Sequence, residues 1–462
     1  MLPLVPLDVT NCIVGALGVR DRCALASTCR AMRLQAAATW FRHETFHLRG
    51  DDVDNDDDMD DDDDMDDDED EVVRRPCPAW LKRHGSAVAL DLDHAGADLL
   101  ADLVGARVRE IRKKVLPSKP VPAEALVPFA ATLVALKAAL TGSYHHLAAL
   151  TNLTTLCIFG RTRMTGEEEA LGALRALEHL AFDSLDSAIP PFLPAMTNLT
   201  TLTMHIPSHI PPHIPPHIPL HIPPHIPHLD YRCQTTHWHR LGGLPKLQAL
   251  EISGVVVEDI PLPLADLTAL TSLTLGASVQ QAPLTGTGNL SRVLGALRGL
   301  ERLDLVHFRL DVLPDTMPPG LTKLVVRNGF PCHRVDRVAA LVDLRELTLC
   351  SMELRDLPTS LSALTALTKL DVYDNHLEPD VTLPFPALRE LSLEQNEFIV
   401  DVPPALSLLT NLRTLVARNW DGPFAGGWEH LPASLQRVSV CECHHMPVHI
   451  ERLNTYQDPR YF

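Results

Sequence analysis

One spacing of leucines recurs along the chain and restricts it to folds built from stacked short units. Between residues 344 and 420 the same frame repeats: leucine, two variable residues, leucine, one variable residue, an apolar residue, two variable residues, then often asparagine. The Leu-x-Leu alternation predicts a short strand with one buried side. The three-residue spacing that follows predicts a helical or 3₁₀ return segment. One such unit cannot bury its own leucines, so neighbouring units must stack.

These copies resemble the leucine-rich repeat family. The resemblance implies an α/β solenoid with a curved parallel sheet on its concave side. Asn375 and Asn396 stand where a side-chain amide can bond backbone groups at the turn. Two copies read Leu367, Leu370, Val372, Asn375 and Leu377, then Leu388, Leu391, Leu393, Asn396 and Phe398. The LPxxLxxLxxL part of the family pattern is matched by Leu357, Pro358, Leu361 and Leu364.

The second leucine of each strand motif marks one repeat, and most steps between markers are 20 to 25 residues. The step from Leu273 to Leu303 is 30 residues, which predicts an inserted loop or longer helix around 282–297. The step from Leu202 to Leu250 is 48 residues and has room for one more repeat near Leu229. The markers are Leu90, Ile111, Leu136, Leu156, Leu180, Leu202, Leu250, Leu273, Leu303, Leu324, Leu347, Leu370, Leu391, Leu415 and Val438.

The long step contains a low-complexity tract of repeated His-Ile-Pro-Pro at 205–228. Proline fixes φ and removes backbone donors, so the tract is predicted to be polyproline II rather than strand or helix. In that conformation histidines four residues apart lie ~12 Å from each other, because each residue rises ~3.1 Å. One chain therefore cannot close a tetrahedral metal site, and we expect a loop insertion.

The net charge of −19 comes almost entirely from one tract, 51–71, which holds 17 acidic residues. The rest of the chain carries 40 basic and 42 acidic residues, so it lacks the excess of basic residues typical of nucleic-acid-binding domains. Like charges at this density prevent a core, which predicts a disordered, extended linker. The alternative is that the acidic tract attracts and binds a basic partner. A calcium loop of the EF-hand type needs a glycine, and the tract has none.

Ten cysteines without a CxxC pair indicate reduced thiols and an intracellular protein, cytoplasmic or nuclear. No apolar run is long enough to predict a membrane span, and the N-terminus does not have the pattern of a signal peptide. Cys441–His445 contains the residue types of a metal site, but it falls in the repeat frame. Cys332-His333 is an isolated pair without a third member of a catalytic set. We find no phosphate loop and no hydrolase motif, so neither enzyme activity nor a cofactor or metal is expected.

Between residues 6 and 33, apolar and acidic residues recur at spaced positions, namely Pro6, Ile13, Leu17, Asp21 and Leu25, and Cys29-Arg30 follows them. This register resembles the F-box, a small helical module that docks a Skp-family adaptor of cullin ubiquitin ligases. The resemblance implies a substrate-recognition subunit with an adaptor at one end and a target on the repeats. A helical cap for the solenoid is the alternative. The expected organisation is a helical module at 1–48, an acidic linker at 49–75, repeats at 76–445 and a cap or tail at 446–462. The matching positions, expected to form the module and its adaptor contact, are Pro6, Leu7, Ile13, Leu17, Asp21 and Leu25.

Variable positions beside the strand leucines are predicted to form rows on the concave side of the sheet. In the C-terminal half these rows are charged, which makes them a candidate face for a protein target. Ordinary solvated surface, with Trp420 packed between repeats, is the alternative. The predicted face consists of Arg302, Asp304, Lys323, Arg327, Glu346, Lys369, Asp371, Tyr373, Glu394, Arg418 and Trp420.

Overall fold

The structure is a computed structural model, and its architecture is a series of short parallel strands joined by 3₁₀ segments. It forms two compact units, Met1–Asp186 with Pro190–Leu199, and Ser187–Ile189 with Thr200–Phe462. The structure describes residues 45–49, 88–94, 100–101, 103–113, 120–162, 167–185, 189–206, 238–255, 259–277, 287–396, 401–418, 426–440 and 447–453. In this part of the chain, no helix combines the length and apolar character needed to cross a membrane.

The first unit contains strands β1 to β7, and all but the short β4 pair in parallel in chain order. β4 pairs with the end of β5 in a separate small sheet. The strands are β1 (Thr45–Arg49), β2 (Val88–His94), β3 (Val108–Arg112), β4 (Val121–Pro122), β5 (Ala135–Thr141), β6 (Thr155–Thr162) and β7 (His179–Leu185). The 3₁₀ segments are Ala123–Phe129, Tyr144–Ala149, Glu167–Ala173 and Leu193–Ala195.

The second unit contains strands β8 to β17, each paired in parallel with the next. They are β8 (Thr201–His205), β9 (Ala249–Val255), β10 (Ser272–Ala277), β11 (Arg302–Val306), β12 (Lys323–Arg327), β13 (Glu346–Cys350), β14 (Lys369–Asp371), β15 (Glu390–Ser392), β16 (Thr414–Ala417) and β17 (Arg437–Val440). The helices are α1 (Gly288–Ala296) and α2 (Val448–Glu451). The 3₁₀ segments are Trp238–Gly243, Leu262–Asp266, Val335–Ala340, Thr359–Ala363, Pro404–Leu408 and Trp428–His430.

The predicted markers are confirmed, because within each unit every marker is the direct partner of the marker on the neighbouring strand. None of the markers from Leu90 to Val438 is more than 2% exposed. The predicted 3₁₀ returns are confirmed as well, and α1 occupies the predicted 282–297 insertion. The core is thus a stack of leucines between the strands and the returns.

Three buried asparagines satisfy the backbone where the strands end. The Asn375 side-chain oxygen accepts from the amides of Met352 and Leu354, both at 3.1 Å, and its amide nitrogen donates to the Leu349 carbonyl at 2.8 Å. Asn396 repeats the pattern with its own neighbours, which confirms the predicted role of both residues. Asn328, which the sequence frame missed, bonds both backbone groups of Leu310.

A second set of asparagines lies at the opposite end of the repeat, in the TNL phrase that precedes β6, β8 and β16. Asn198 donates to the Arg175 carbonyl at 2.9 Å, and Asn152 to the Ala131 carbonyl at 3.2 Å. Asn411 makes the same bond to Pro386 at 2.9 Å. The repeat itself therefore uses the amide nitrogens of the two LTNLT sequences that match the glycosylation pattern.

One strand of the structure lies across the expected boundary between a helical module at 1–48 and a linker at 49–75. Thr45–Arg49 is a strand, and Phe46 is the direct partner of the marker Leu90. The alternation of Phe46 and Leu48 with polar residues in the sequence favours a strand. The acidic tract therefore belongs to the connection between two adjacent strands rather than to a junction between domains. The tract itself lies outside the described residues.

β8 pairs directly with β9, so the described sheet has no further strand inserted between these two. The proposed marker Leu229 lies outside the described residues. The boundary of the His-Ile-Pro-Pro insert, predicted at 205, is wrong by two residues. His205 ends β8, and the Ile206 amide donates to the Ser253 carbonyl at 2.9 Å. A Cβ at Gly254, where φ is +77°, would collide with the Ile206 carbonyl oxygen, so this close approach requires glycine.

The last strand is followed by a short ordered segment at 447–453. The Val438 amide donates to the Leu453 carbonyl at 2.9 Å, and Ile450 of α2 is 3% exposed. This segment therefore packs beside β17 at the end of the second unit.

We predict that Leu370→Ala lowers the free energy of unfolding by about 2–5 kcal/mol, because Leu370 is 1% exposed in the leucine stack. Lys369→Ala, one residue away with a half-exposed side chain, should change it by about 0.5 kcal/mol or less. Urea unfolding of both variants provides the measurement. Equal effects from the two substitutions would contradict the strand register.

We predict that Asn375→Ala destabilises the chain by at least about 2 kcal/mol, since several buried backbone groups lose their partner at once. Asn411→Ala is the matched control, because this exposed side chain makes a single bond, and it should cost less than about 1 kcal/mol. Comparison of the two urea midpoints decides the outcome, and a cost for Asn411→Ala as large as that for Asn375→Ala would contradict it.

Candidate functional site

The solvent-facing side of the second unit's sheet carries the predicted rows, within which neighbouring strands lie ~4.8 Å apart. Each row contains one residue from each repeat between β11 and β17, because these strands pair in register. The first row precedes the markers and contains Arg302, Lys323, Glu346, Lys369, Glu390, Thr414 and Arg437. The second row follows the markers and contains Asp304, Val325, Thr348, Asp371, Ser392, Val416 and Ser439.

The third row lies at the strand ends. It begins with Val306, Arg327 and Cys350, which are direct partners. Tyr373, Glu394 and Arg418 continue it at the equivalent positions of the following repeats. Backbone bonds join the later strand ends, from the Ser351 amide to the Tyr373 carbonyl at 3.1 Å and from the Asp374 amide to the Glu394 carbonyl at 3.0 Å.

Most charges of the first row neutralise each other. Lys323 pairs with Glu346 on the next strand, with 3.2 Å between Nζ and Oε2, and Lys369 pairs with Glu390 at the same distance. These pairs are about half exposed, so each contributes at most about 1 kcal/mol to stability. Arg302 is exposed and forms no ion pair within the described part of the chain. The first row therefore offers a partner fewer free charges than its sequence indicates.

Asp304 in the second row is partly buried among cations. Burial raises the pKa of its carboxyl above the ordinary value of 3.8, while Lys323, Arg327 and Arg302 oppose this shift and Glu251 adds to it. Desolvation outweighs the attraction of the three cations, so the charged carboxylate destabilises the folded state here.

Tyr373 is the exposed aromatic residue of the third row, with 38% of its surface accessible. Partial burial raises the pKa of its hydroxyl, with smaller contributions from Asp374 and Glu394. Its amide donates to the Asp371 carboxylate at 3.2 Å, which fixes the backbone beneath the ring. Beside it, Arg418 Nη2 lies 2.8 Å from Glu394 Oε2. The third row thus combines an exposed aromatic ring with a hydrogen-bonded ion pair.

The structure brings the predicted face residues from Arg302 to Arg418 together on one side of the sheet. Trp420 lies outside the described residues, as do all the proposed adaptor contacts from Pro6 to Leu25. Sequence reasoning missed Thr414, Val416, Val325 and Cys350, which occupy the same rows. Their signal was present in the repeat frame, but their uncharged side chains did not stand out.

Among the second unit's cysteines the structure describes Cys332 and Cys350, and both thiols are buried. Burial raises the pKa of Cys332 to about 12 and that of Cys350 to about 12, with Asp311 and Asp371 adding to the respective shifts. A thiol with such a pKa is protonated at neutral pH, so it is a poor nucleophile. Within the described ranges, no three His, Cys, Asp or Glu side chains are grouped to hold a metal ion.

Comparison with known proteins gives partial matches. No protein-family model matches the chain. The rat volume-regulated anion channel subunit LRRC8A is 29% identical over 178 residues, which is 37% of this chain and 21% of that protein. The chain thus spans about a fifth of the curated relative.

Among solved structures, a leucine-rich-repeat protein of Leptospira interrogans is 17% identical, with a TM-score of 0.42, over 74% of this chain and 81% of that one. The leucine-rich-repeat ectodomain of the Arabidopsis thaliana receptor kinase GASSHO1/SCHENGEN3 is 18% identical, with a TM-score of 0.41, over 79% and 45%. The repeat architecture of this chain is established by its own strand register and leucine stack.

We predict that Asp304→Asn raises the free energy of unfolding at pH 7, because it removes a partly buried charge. The folded state binds the Asp304 proton more tightly than the unfolded state, so its destabilising effect develops as pH rises above 3.8. The advantage of the variant should shrink towards pH 4. Urea unfolding between pH 4 and 8 measures this, with the exposed Asp343→Asn as control. A variant less stable than wild type at pH 7 would disprove the assignment.

Proposed function

We propose that this chain is a protein-binding subunit that captures a target protein on the sheet face of its second unit. One observation supports this most: in-register strands present an exposed aromatic residue, Tyr373, together with the exposed cations Arg302 and Arg327 on a single surface. Tyrosine and arginine are prominent among residues that contribute most binding energy at protein interfaces. Repeat proteins commonly use such extended surfaces to bind partners. The proposal includes no catalytic step.

We further propose that the captured target is delivered to a ubiquitin ligase. The support is the sequence register of residues 6–33, which resembles an F-box and would bind a Skp-family adaptor and, through it, a cullin. This role places the protein inside the cell, in the cytoplasm or nucleus. The adaptor contact would involve the apolar residues of the segment, including Pro6, Leu7 and Leu17.

The second candidate is an intracellular interaction scaffold without a ubiquitin link. The position of β1 favours it, because the parallel sheet already begins at Thr45, only twelve residues after the F-box-like segment ends. The residues before β1 could then serve as a cap for the first repeat. Both candidates keep target binding on the second unit and differ only in the role of the N-terminal segment.

The decisive experiment for this role is adaptor capture by the full chain, since a fragment of residues 1–48 would cut through β1. We expect wild-type protein to retain a Skp-family adaptor and a cullin from lysate. The double variant Pro6→Ala with Leu7→Ala should lose both without a change in melting temperature. Arg327→Ala with Arg418→Ala should keep the adaptor and lose co-purifying targets, whereas Arg355→Ala, another exposed arginine, should change neither.

Two results would separate the candidates. If wild-type protein retains no adaptor under conditions in which a known F-box protein does, the ligase proposal is wrong and the scaffold proposal stays. If targets persist after Arg327→Ala with Arg418→Ala, the sheet face is not the binding surface.

A further inference from the structure

A row of backbone hydrogen bonds runs along the start of the second unit's strands, one residue before the first row. We call it the leading row. The bonds pass from each residue's amide to the carbonyl of the preceding repeat at 2.8–2.9 Å. Three arginines occupy this row, and sequence reasoning missed them because it considered only the second variable position before each marker. The leading row consists of Glu301, Thr322, Arg345, Thr368, Arg389, Arg413 and Gln436.

Three cations at the C-terminal end of this region have no partner among the residues that the structure describes. Arg389 and Arg413 occupy the leading row on β15 and β16, and Arg437 lies in the first row on β17. All three are exposed, and none forms an ion pair or side-chain hydrogen bond with a described residue. We call these three residues the cation edge.

The surroundings of the cation edge do not neutralise it. The turns that lead into the three strands, at 386–388, 410–412 and 433–435, contain no acidic residue. The acid in the adjoining row, Glu390, is bonded to Lys369. The cluster thus keeps a net positive charge, although the chain outside the acidic tract is nearly neutral.

The spacing of the cation edge suits an anionic chain. Neighbouring strands are ~4.8 Å apart, so the three guanidinium groups originate within ~10 Å of each other. Alternate residues of an extended peptide project to one side at intervals of ~6.6 Å, which flexible arginine side chains can follow. A guanidinium group binds carboxylate and phosphate through two parallel hydrogen bonds. An extended segment with acidic groups at alternate positions therefore complements this edge.

We propose that the cation edge binds an acidic segment of a partner protein, carrying carboxylates or phosphate groups. This rests on the proposed function, and it specifies the chemistry of the target on the second unit. A protein segment fits better than nucleic acid, because three cations within ~10 Å cover only a short anionic stretch. Nucleic-acid binding domains commonly use six or more phosphate contacts and a strongly basic surface.

The test uses the full chain and four fluorescein-labelled probes in an anisotropy titration. The peptides are five repeats of Glu-Ser, of Gln-phosphoserine and of Gln-Ser, and the fourth probe is a ten-nucleotide single-stranded DNA. We expect binding of the first two peptides, weakening as salt rises, and no binding of the neutral peptide. The Glu-Ser and phosphoserine arms distinguish carboxylate from phosphate as the preferred group.

The triple variant Arg389→Ala, Arg413→Ala, Arg437→Ala should weaken acidic-peptide binding about ten-fold, since three exposed ion pairs are lost. The triple arginine-to-lysine variant at the same positions should fall between wild type and the alanine variant. The matched control is Arg292→Ala, Arg298→Ala, Arg355→Ala, which removes the same charge from three other exposed arginines. It should bind like wild type, and melting curves check that every variant folds.

Three results would overturn the proposal. These are equal weakening in the control variant, equal binding of the neutral peptide, or tighter binding of the DNA that is lost in the cation-edge variant. None of these results depends on adaptor capture, so the proposed ligase role can fail while the cation edge stands, and the reverse is also possible.

Discussion

The structure depends on one constraint, the direct stacking of each marker residue on the marker of the neighbouring strand. Because side chains alternate along a strand, a slip of one residue would turn every buried leucine towards solvent. The leucine stack therefore fixes the register within each unit. Once that register is set, the buried asparagines, the threonines and arginines of the leading row and the exposed rows all follow at fixed positions.

The same register decides which charges are available to a partner. Alternation of sign from one repeat to the next places Lys323 beside Glu346 and Lys369 beside Glu390, so these charges satisfy each other. The alternation ends at Thr414, and Arg437 of the same row and Arg413 of the leading row leave positive charge over. The first row looks the most charged in the sequence, but most of its charges are paired with each other. The unpaired charge lies where the alternation of sign is interrupted.

Features that follow the repeat frame could be predicted from the sequence, whereas features that depart from the frame were missed. The leucine markers, the 3₁₀ returns and the roles of Asn375 and Asn396 could be read from the frame because each depends on local spacing. Asn328 was not predicted because it stands one position closer to its marker than Asn375 and Asn396 do. The strand β1 was not predicted because the resemblance to a helical module outweighed a short alternating pattern. The ion pairs of the face required knowledge of which residues lie side by side across strands, and this is a property of the stacked repeats.

The direct pairing of β8 with β9 bears on how such a chain can change in evolution. The pairing of these two strands with each other and with their neighbours does not depend on how many residues connect them. Expansion or contraction of the four-residue module by replication slippage would therefore be close to neutral for folding. The connection is a site where length polymorphism can accumulate without selection for stability.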